Sequence, residues 1–253
     1  MLFKTQKLEH YKLKSLDGEI GRVADFYFDD EHWTIRYLVA NTGAWLTKRK
    51  VLISPHALGE AFKEEYLISV NLTKDQIEDS PFLDFDKPIS RQFEEDYSHY
   101  YGSPYYWGGS GIWGMYSTMF GGKVLSDFEH KKDEETDDLH LRSINEVSTY
   151  RIHATDGEIG HVEDLIIDDE TWTIRYLVVN TRNWWPGKKV LIAPAWIDRV
   201  SWDESEVYVN LTREAIVAAP EYTDDAQMNR DYEVSLYKHY EFKEYWMDEM
   251  LGE

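Results

Sequence analysis

The chain has no cysteine. That excludes disulfides, thiolate metal sites and cysteine nucleophiles. It is poor in positive charge, with 27 Lys and Arg against 48 Asp and Glu and a formal net charge of -21. A field of that sign repels phosphate backbones, so direct nucleic-acid binding is not expected. It also disfavours plain electrostatic attachment to anionic lipid. No stretch reaches the roughly 18 consecutive apolar residues of a spanning helix. The opening MLFKTQKLEH has neither the apolar core nor the small-residue cleavage site of a secretory signal, so a cytoplasmic protein is expected. Phosphate-cradling glycine loops, Gly-x-Ser-x-Gly elbows and His-x-x-x-His ligand pairs are absent, so no enzyme, metal or cofactor is expected.

What the chain has is a repeat. Asp17 to Pro55, DGEIGRVADFYFDDEHWTIRYLVANTGAWLTKRKVLISP, returns without a gap as Asp156 to Pro194, DGEIGHVEDLIIDDETWTIRYLVVNTRNWWPGKKVLIAP. The offset between the copies is constant, taking Asp17 to Asp156 and Pro55 to Pro194. One repeat must therefore account for both halves. Aromatic residues are abundant, with ten Trp and eighteen Tyr, which supplies material for two packed cores.

Each copy reads as five short strands. Tyr11 to Leu16 and Tyr150 to Thr155 end in Asp-Gly, a pair suited to a tight hairpin turn. Gly21 and Gly160 then predict a bulge or a tight bend. Val23 to Phe28, Thr34 to Asn41, Lys50 to Ser54 and Tyr66 to Leu72 complete the first set. Pro55 and Pro194 close the fourth strand by removing a ladder donor. Close spacing and tight turns predict a small all-β barrel or sandwich. Thr73 and Thr212 then read as helix N-caps, and Gln76 completes a capping box in the first copy only. Ile89, Phe93, Tyr97 and Tyr101 lie four apart, as do Met228, Tyr232, Leu236 and Tyr240, which predicts one helix with one apolar stripe per copy. EFKEYWMDEMLGE, at the C-terminal end, reads as an extension of the second helix.

The repeat resembles the PRC-barrel family, named for the cytoplasmic domain of the photosynthetic reaction centre H subunit. Asp17-Gly18-Glu19-Ile20-Gly21, the Asp29-Asp30 turn, Trp33, Arg36-Tyr37-Leu38-Val39, Thr42, Trp45, Lys50-Val51-Leu52-Ile53 and Pro55 carry the resemblance, with their counterparts up to Pro194. It implies a small SH3-like β-barrel and an adaptor or assembly role. The reaction-centre subunit and the ribosome maturation factor are two relatives. Neither the transmembrane helix of the one nor the N-terminal domain of the other is expected in this chain.

The expected architecture is mainly β with helical flanks. Residues 1–101 form a first PRC-like barrel plus helix. Residues 102–142 form a linker, glycine- and aromatic-rich and then acidic. Residues 143–253 form a second barrel plus helix. A pseudo-twofold pairing of the barrels within the chain is expected, with a homodimer as a further arrangement. The leading functional expectation is a non-catalytic module for protein–protein contact, its protein partner unknown. An accessory of a photosynthetic reaction centre or electron-transfer complex, and a ribosome- or RNA-maturation factor, are the alternatives.

Candidate contact residues are Trp45 and Leu46 on one hairpin, Trp184 and Trp185 on its counterpart, and Tyr106, Trp107 and Trp113 in the linker. Trp and Tyr suit protein interfaces and also peripheral membrane contact. The Asp29-Asp30-Glu31 turn and its counterpart read as solvated turns rather than calcium loops, which need alternating ligands and a glycine. Arg36 and Arg175 sit mid-strand among apolar neighbours. They read either as partners of an acidic-turn residue or as anion sites.

Overall fold

A computed structural model describes residues 2–46, 49–62, 65–85, 87–107, 113, 140–181, 187–223 and 228–249. They divide into two compact units. The first is Leu8–Ser143; the second combines Met1–Lys7 with Ile144–Glu253. Among the described residues, no helix is long and apolar enough to cross a membrane.

The chain opens with strand β1 (Leu2–Lys4) and one helical turn, α1 (Thr5–Leu8). The first unit then runs β2 (Lys12–Ser15), β3 (Gly18–Asp29), β4 (Thr34–Asn41), β5 (Lys50–Ile53), β6 (Leu58–Phe62), β7 (Leu67–Val70), α2 (Lys74–Glu78), α3 (Arg91–Tyr101) and β8 (Leu141–Ser143). The second repeats the order: α4 (Ile144–Val147), β9 (Arg151–Ala154), β10 (Gly157–Asp168), β11 (Ile174–Asn180), β12 (Lys189–Ile192), β13 (Ile197–Ser201), β14 (Glu206–Val209), α5 (Arg213–Ala218), α6 (Arg230–Tyr240) and α7 (Tyr245–Glu249).

Each unit is a seven-stranded sheet. The order is β5-β4-β3-β2-β7-β6 in the first, with β8 on β3, and β12-β11-β10-β9-β14-β13 in the second, with β1 on β10. No ladder joins β5 to β6, or β12 to β13, among the described residues, so neither sheet closes into a full barrel. The mainly β class and the helical flanks match the sequence expectation. Strands β1, β8, β6 and β13 were not expected: the first two, LFK and LRS, are too short for a period-2 signal.

The turn chemistry explains the repeated glycines. At Gly21, φ is 134°, and an added Cβ would lie 2.1 Å from the Asn41 carbonyl oxygen. At Gly160 it would lie 2.1 Å from that of Asn180. The backbones of β3 and β4 cross too closely there for any side chain, and both positions adjoin register shifts in the β2–β3 and β9–β10 ladders. Apolar residues of β4 then fill the interior. Tyr37 and Val39 pack with Leu52, Ile89, Tyr97 and Leu141 in one buried cluster. The helical stripe is therefore used on its own sheet. Tyr97 fixes it further: its hydroxyl accepts from the Ser54 amide (2.9 Å) and donates to the Leu52 carbonyl (3.3 Å).

Caps place the helices. The Thr73 hydroxyl and the Gln76 side chain form the reciprocal capping box of α2, while Thr212 caps α5 by accepting from the Ala215 amide. Ser90 and Asn229 cap α3 and α6. Both long helices end at a left-handed residue, Gly102 (φ 63°) and Glu241 (φ 59°). The tail after Tyr240 therefore does not continue α6, as the sequence suggested. The chain turns at Glu241 and restarts as α7.

The two units exchange their first strands along the sequence. β1 belongs to the second sheet, with Leu2, Phe3 and Lys4 opposite Asp168, Ile167 and Ile166. β8, its counterpart at the repeat offset, pairs in the first sheet, with Leu141 opposite Asp29 and Ser143 opposite Tyr27. Residues 1–7 thus lie outside the first unit, with which the sequence reading had grouped them. The anchor in the second unit is Asp164, 0% exposed. It accepts from the Thr5 hydroxyl (2.7 Å) and the Gln6 amide (3.2 Å), and pairs with the Lys4 ammonium (3.3 Å). Burial raises the Asp164 pKa against these donors. At the matching place Asp25 accepts from Ser143 (2.6 Å).

Deleting residues 1–5 removes β1 and leaves Asp164 buried without two of its donors. The expected outcome is faster amide hydrogen exchange at Ile166–Asp168 in the second unit, with protection at Tyr27–Asp29 unchanged. Equal loss in both units, or none, contradicts the strand assignment.

Candidate functional site

Helix α3 carries Glu94, which is 0% exposed. A carboxylate in that position must be surrounded by donors, and it is. Oε1 accepts from the Tyr106 hydroxyl at 2.6 Å and from the Tyr37 hydroxyl at 3.3 Å. Oε2 accepts from Arg91 Nη1 at 3.0 Å and lies 3.2 Å from His140 Nε2. His140 Nδ1 is 3.3 Å from Arg91 Nη2. A guanidinium only donates, so Nδ1 accepts there, and His140 Nε2 lies 2.7 Å from the Tyr106 hydroxyl oxygen. Its donors come from a strand, a helix and the start of the linker, and His140 stands beside them from the end of the linker. Glu94 therefore ties α3 to β4 and to both ends of the linker.

Around this carboxylate the side chains stack. The Arg91 guanidinium lies 4.2 Å from the Trp107 ring, and the Arg36 guanidinium 4.0 Å from Tyr106 and 4.7 Å from Trp113. Arg36 is 1% exposed; its Nε donates to Asp29 Oδ2 at 2.7 Å. Asp29 is also buried, which corrects the expectation of a solvated turn: the His32 amide (2.7 Å) donates to it and the His32 ring lies at 3.1 Å. Asp30 is partnered too, by Arg142 at 3.1 Å.

The second unit repeats the arrangement. Glu233, 3% exposed, accepts from Tyr176 (2.7 Å), Tyr245 (3.1 Å) and Arg230 (3.1 Å). Arg230 stacks on Trp246 at 4.0 Å and Arg175 on Tyr245 at 4.2 Å. The members correspond at the repeat offset: Arg91 and Arg230, Glu94 and Glu233, Tyr106 and Tyr245, Trp107 and Trp246. In the sequence the paired stripes end at Tyr101 and Tyr240, and Tyr106 and Trp107 fall in a linker expected to have no second copy. Carrying the same offset on to Trp107 finds the pair.

Of the other sequence candidates, Trp45 is half-buried on the β4–β5 hairpin, with the Lys74 ammonium 5.3 Å above its ring. Leu46 is half-buried beside it, its carbonyl accepting from the Arg49 amide. Trp184 and Trp185 lie outside the described residues. Trp113 meets the His56 ring at 4.5 Å. Tyr106, Trp107 and Trp113 therefore come together with Arg36 and Arg91, while Trp45 and Leu46 occupy a separate hairpin.

This arrangement holds charge in place. Burial, followed by the charge of neighbouring glutamate or tyrosine, pushes the tyrosine hydroxyls up: Tyr37, Tyr106 and Tyr176 well above the usual value, Tyr245 up to about 12. They stay protonated and act as donors. Among the described residues no group of three or more His, Asp or Glu is placed to hold a metal ion. The PRC-barrel domain family model matches residues 140–216, a span that runs from β8 to α5. No curated protein matches the chain.

Changing Glu233 to Ala removes the acceptor of two tyrosines and an arginine. The expected loss is about 3 kcal/mol of stability for the second unit, read from the urea midpoint. The tyrosines set an alkaline limit. Their folded pKa values lie above the unfolded value near 10, so their contribution is complete below pH 10 and falls as pH rises through 10 to 12. The tyrosinate absorbance of the buried tyrosines is expected to appear together with the loss of circular dichroism; buried tyrosines titrating near pH 10 in a folded chain contradict this.

Proposed function

We propose that the chain is a non-catalytic binding and assembly module of the PRC-barrel type, duplicated, and that it mediates protein–protein contact. The observation that carries this reading is the coincidence of the PRC-barrel match over residues 140–216 with a first unit that has the same strand path and the same buried glutamate clamp. Two copies of one scaffold give a partner two equivalent faces within one chain, the arrangement a single-unit protein reaches by forming a dimer. In both copies the polar groups at the helix–sheet junction are used to hold the helix, which suits a rigid platform better than a reacting centre.

On this reading the contact residues are those of the β4–β5 hairpin and its counterpart, Trp45, Leu46, Trp184 and Trp185. A hairpin tryptophan offers a large apolar surface with little rotamer entropy to lose, which is the character of a binding hot spot. Tyr66, an aromatic residue of the first unit that is 65% exposed, lies on a different turn, between β6 and β7, and serves as a control.

Affinity capture from native lysate tests this. The wild-type chain is expected to retain a reproducible protein partner, and Trp45→Ala with Leu46→Ala, or Trp184→Ala with Trp185→Ala, to weaken it by about 2 kcal/mol or more. Tyr66→Ala is expected to leave it unchanged. A partner set indifferent to all four hairpin substitutions, in variants with unchanged circular dichroism, counts against the assignment.

A further inference from the structure

The first unit contains a guanidinium with more donors than its surroundings accept. Arg36 has five N–H groups. Nε–H goes to Asp29, while Nη1 and Nη2 are buried and have no hydrogen-bond partner among the described residues. Unmet donors of a buried charged group are costly, and native structures seldom keep them. The neighbouring acceptors are already engaged. Asp29 takes the His32 amide and faces the His32 ring in addition to Arg36. Glu94 takes Tyr37, Tyr106 and Arg91 and faces His140. The deficit at Arg36 is one of acceptors.

In the second unit the corresponding residue turns a different edge to its aspartate. Arg175 approaches its aspartate with Nη2, 3.3 Å from Asp168 Oδ2, and the same Nη2 lies 3.4 Å from the Thr171 hydroxyl. In the first unit His32 stands where the second has Thr171. Its ring faces Asp29 and offers Arg36 no hydroxyl. Arg36 presents its Nε side to the aspartate, and aromatic rings flank its guanidinium. Tyr106 forms one wall at 4.0 Å and Trp113 another at 4.7 Å, with His56 stacked on Trp113. At the repeat offset Trp113 corresponds to Gly252 and His56 to Ala195, so the second copy has neither ring at these positions.

We propose that the Nη1–Nη2 edge of Arg36 is a binding site for a small planar carboxylate, which enters between Tyr106, Trp113 and His56 and displaces the Trp113 ring from the guanidinium. Two parallel N–H groups match the two oxygens of a carboxylate. The walls favour that shape over a tetrahedral oxyanion. Aromatic faces provide no donors for third and fourth oxygens, and a second negative charge is harder to bury beside Asp29 and Glu94. The His56 pKa is lowered by burial and by the Arg36 charge, so at neutral pH the imidazole adds no competing cation. This site is independent of the assembly reading and can fail or hold without it.

Fluorine NMR of fluorotryptophan-labelled full-length chain tests the proposal, with the Trp113 resonance assigned by its loss in Trp113→Phe. Sodium acetate is titrated at constant ionic strength against sodium chloride and inorganic phosphate. The expected result is a saturable shift of the Trp113 resonance with acetate, half-complete at about 1–10 mM for so small a ligand, and no such shift with chloride. Arg36→Lys keeps the charge and removes the fork; it is expected to weaken acetate at least about tenfold. His32→Thr installs the acceptor found in the second unit and is expected to weaken acetate similarly. Since His32 is 32% exposed at its side chain, that variant keeps the test open should Arg36→Lys not fold. Arg175→Lys is expected to change nothing at Trp113. Absence of a saturable acetate shift, which assigns the Nη groups to ordered water, overturns the proposal. So does an equal response in His32→Thr, or phosphate binding as tightly as acetate.

Discussion

Each unit depends on one buried carboxylate. Glu94 sits on a helix but belongs to the sheet, because its donors come from Tyr37 of β4 and Tyr106 beyond the helix as well as from Arg91 one turn away. An unpaired charge at that depth would not be tolerated. The helix can therefore take only the position in which the donors converge. Burial of Tyr97 on the same helix and of Ile89 just ahead of it supplies the apolar contribution, about 1.5–3 kcal/mol for each large side chain. Apolar packing holds the helix on the sheet, and the carboxylate sets its rotation and register.

The stacked rings follow from that arrangement. Once Tyr106 is held by Glu94, its face covers Arg36, and Trp107 covers Arg91. A guanidinium is weakly hydrated and planar, so it can be buried against aromatic faces more readily than an ammonium. This is how a strongly acidic chain keeps arginines inside: each is placed between a carboxylate and a ring. The copies diverge where the set is incomplete. Thr171 gives Arg175 an oxygen, while His32 gives Arg36 none. Substitution at one turn residue thus changes which edge of a buried arginine is left open.

Much of this was legible in the amino-acid sequence. The Asp-Gly turns, the glycines at the β3–β4 crossing, the capping box at Thr73 and the four-residue stripe on α3 all act through neighbours in sequence or through a regular period, and pattern reading finds such signals. Glu94 was not legible. Three residues after Arg91 on an exposed-looking helix, it has the spacing of an ordinary surface ion pair. The break at Glu241 was hidden for a similar reason: the first copy marks its helix end with Gly102, but the second has a glutamate at the same left-handed position, where no glycine signals the turn. Strands β1 and β8 are very short and are defined only by what they pair with.

By itself, then, the sequence determined that there are two like units, that each is mainly β, and where most turns and helix starts fall. Those features depend on local backbone preferences and on apolar periodicity, which the order of residues contains directly. The tertiary structure alone decided that residues 1–7 complete the second sheet, that Glu94 and Glu233 are interior, and that Arg36 has donors without acceptors. These are matters of pairing and balance between groups far apart in the chain. A donor's partner is set by where the folded backbone places it, and no spacing rule reports that.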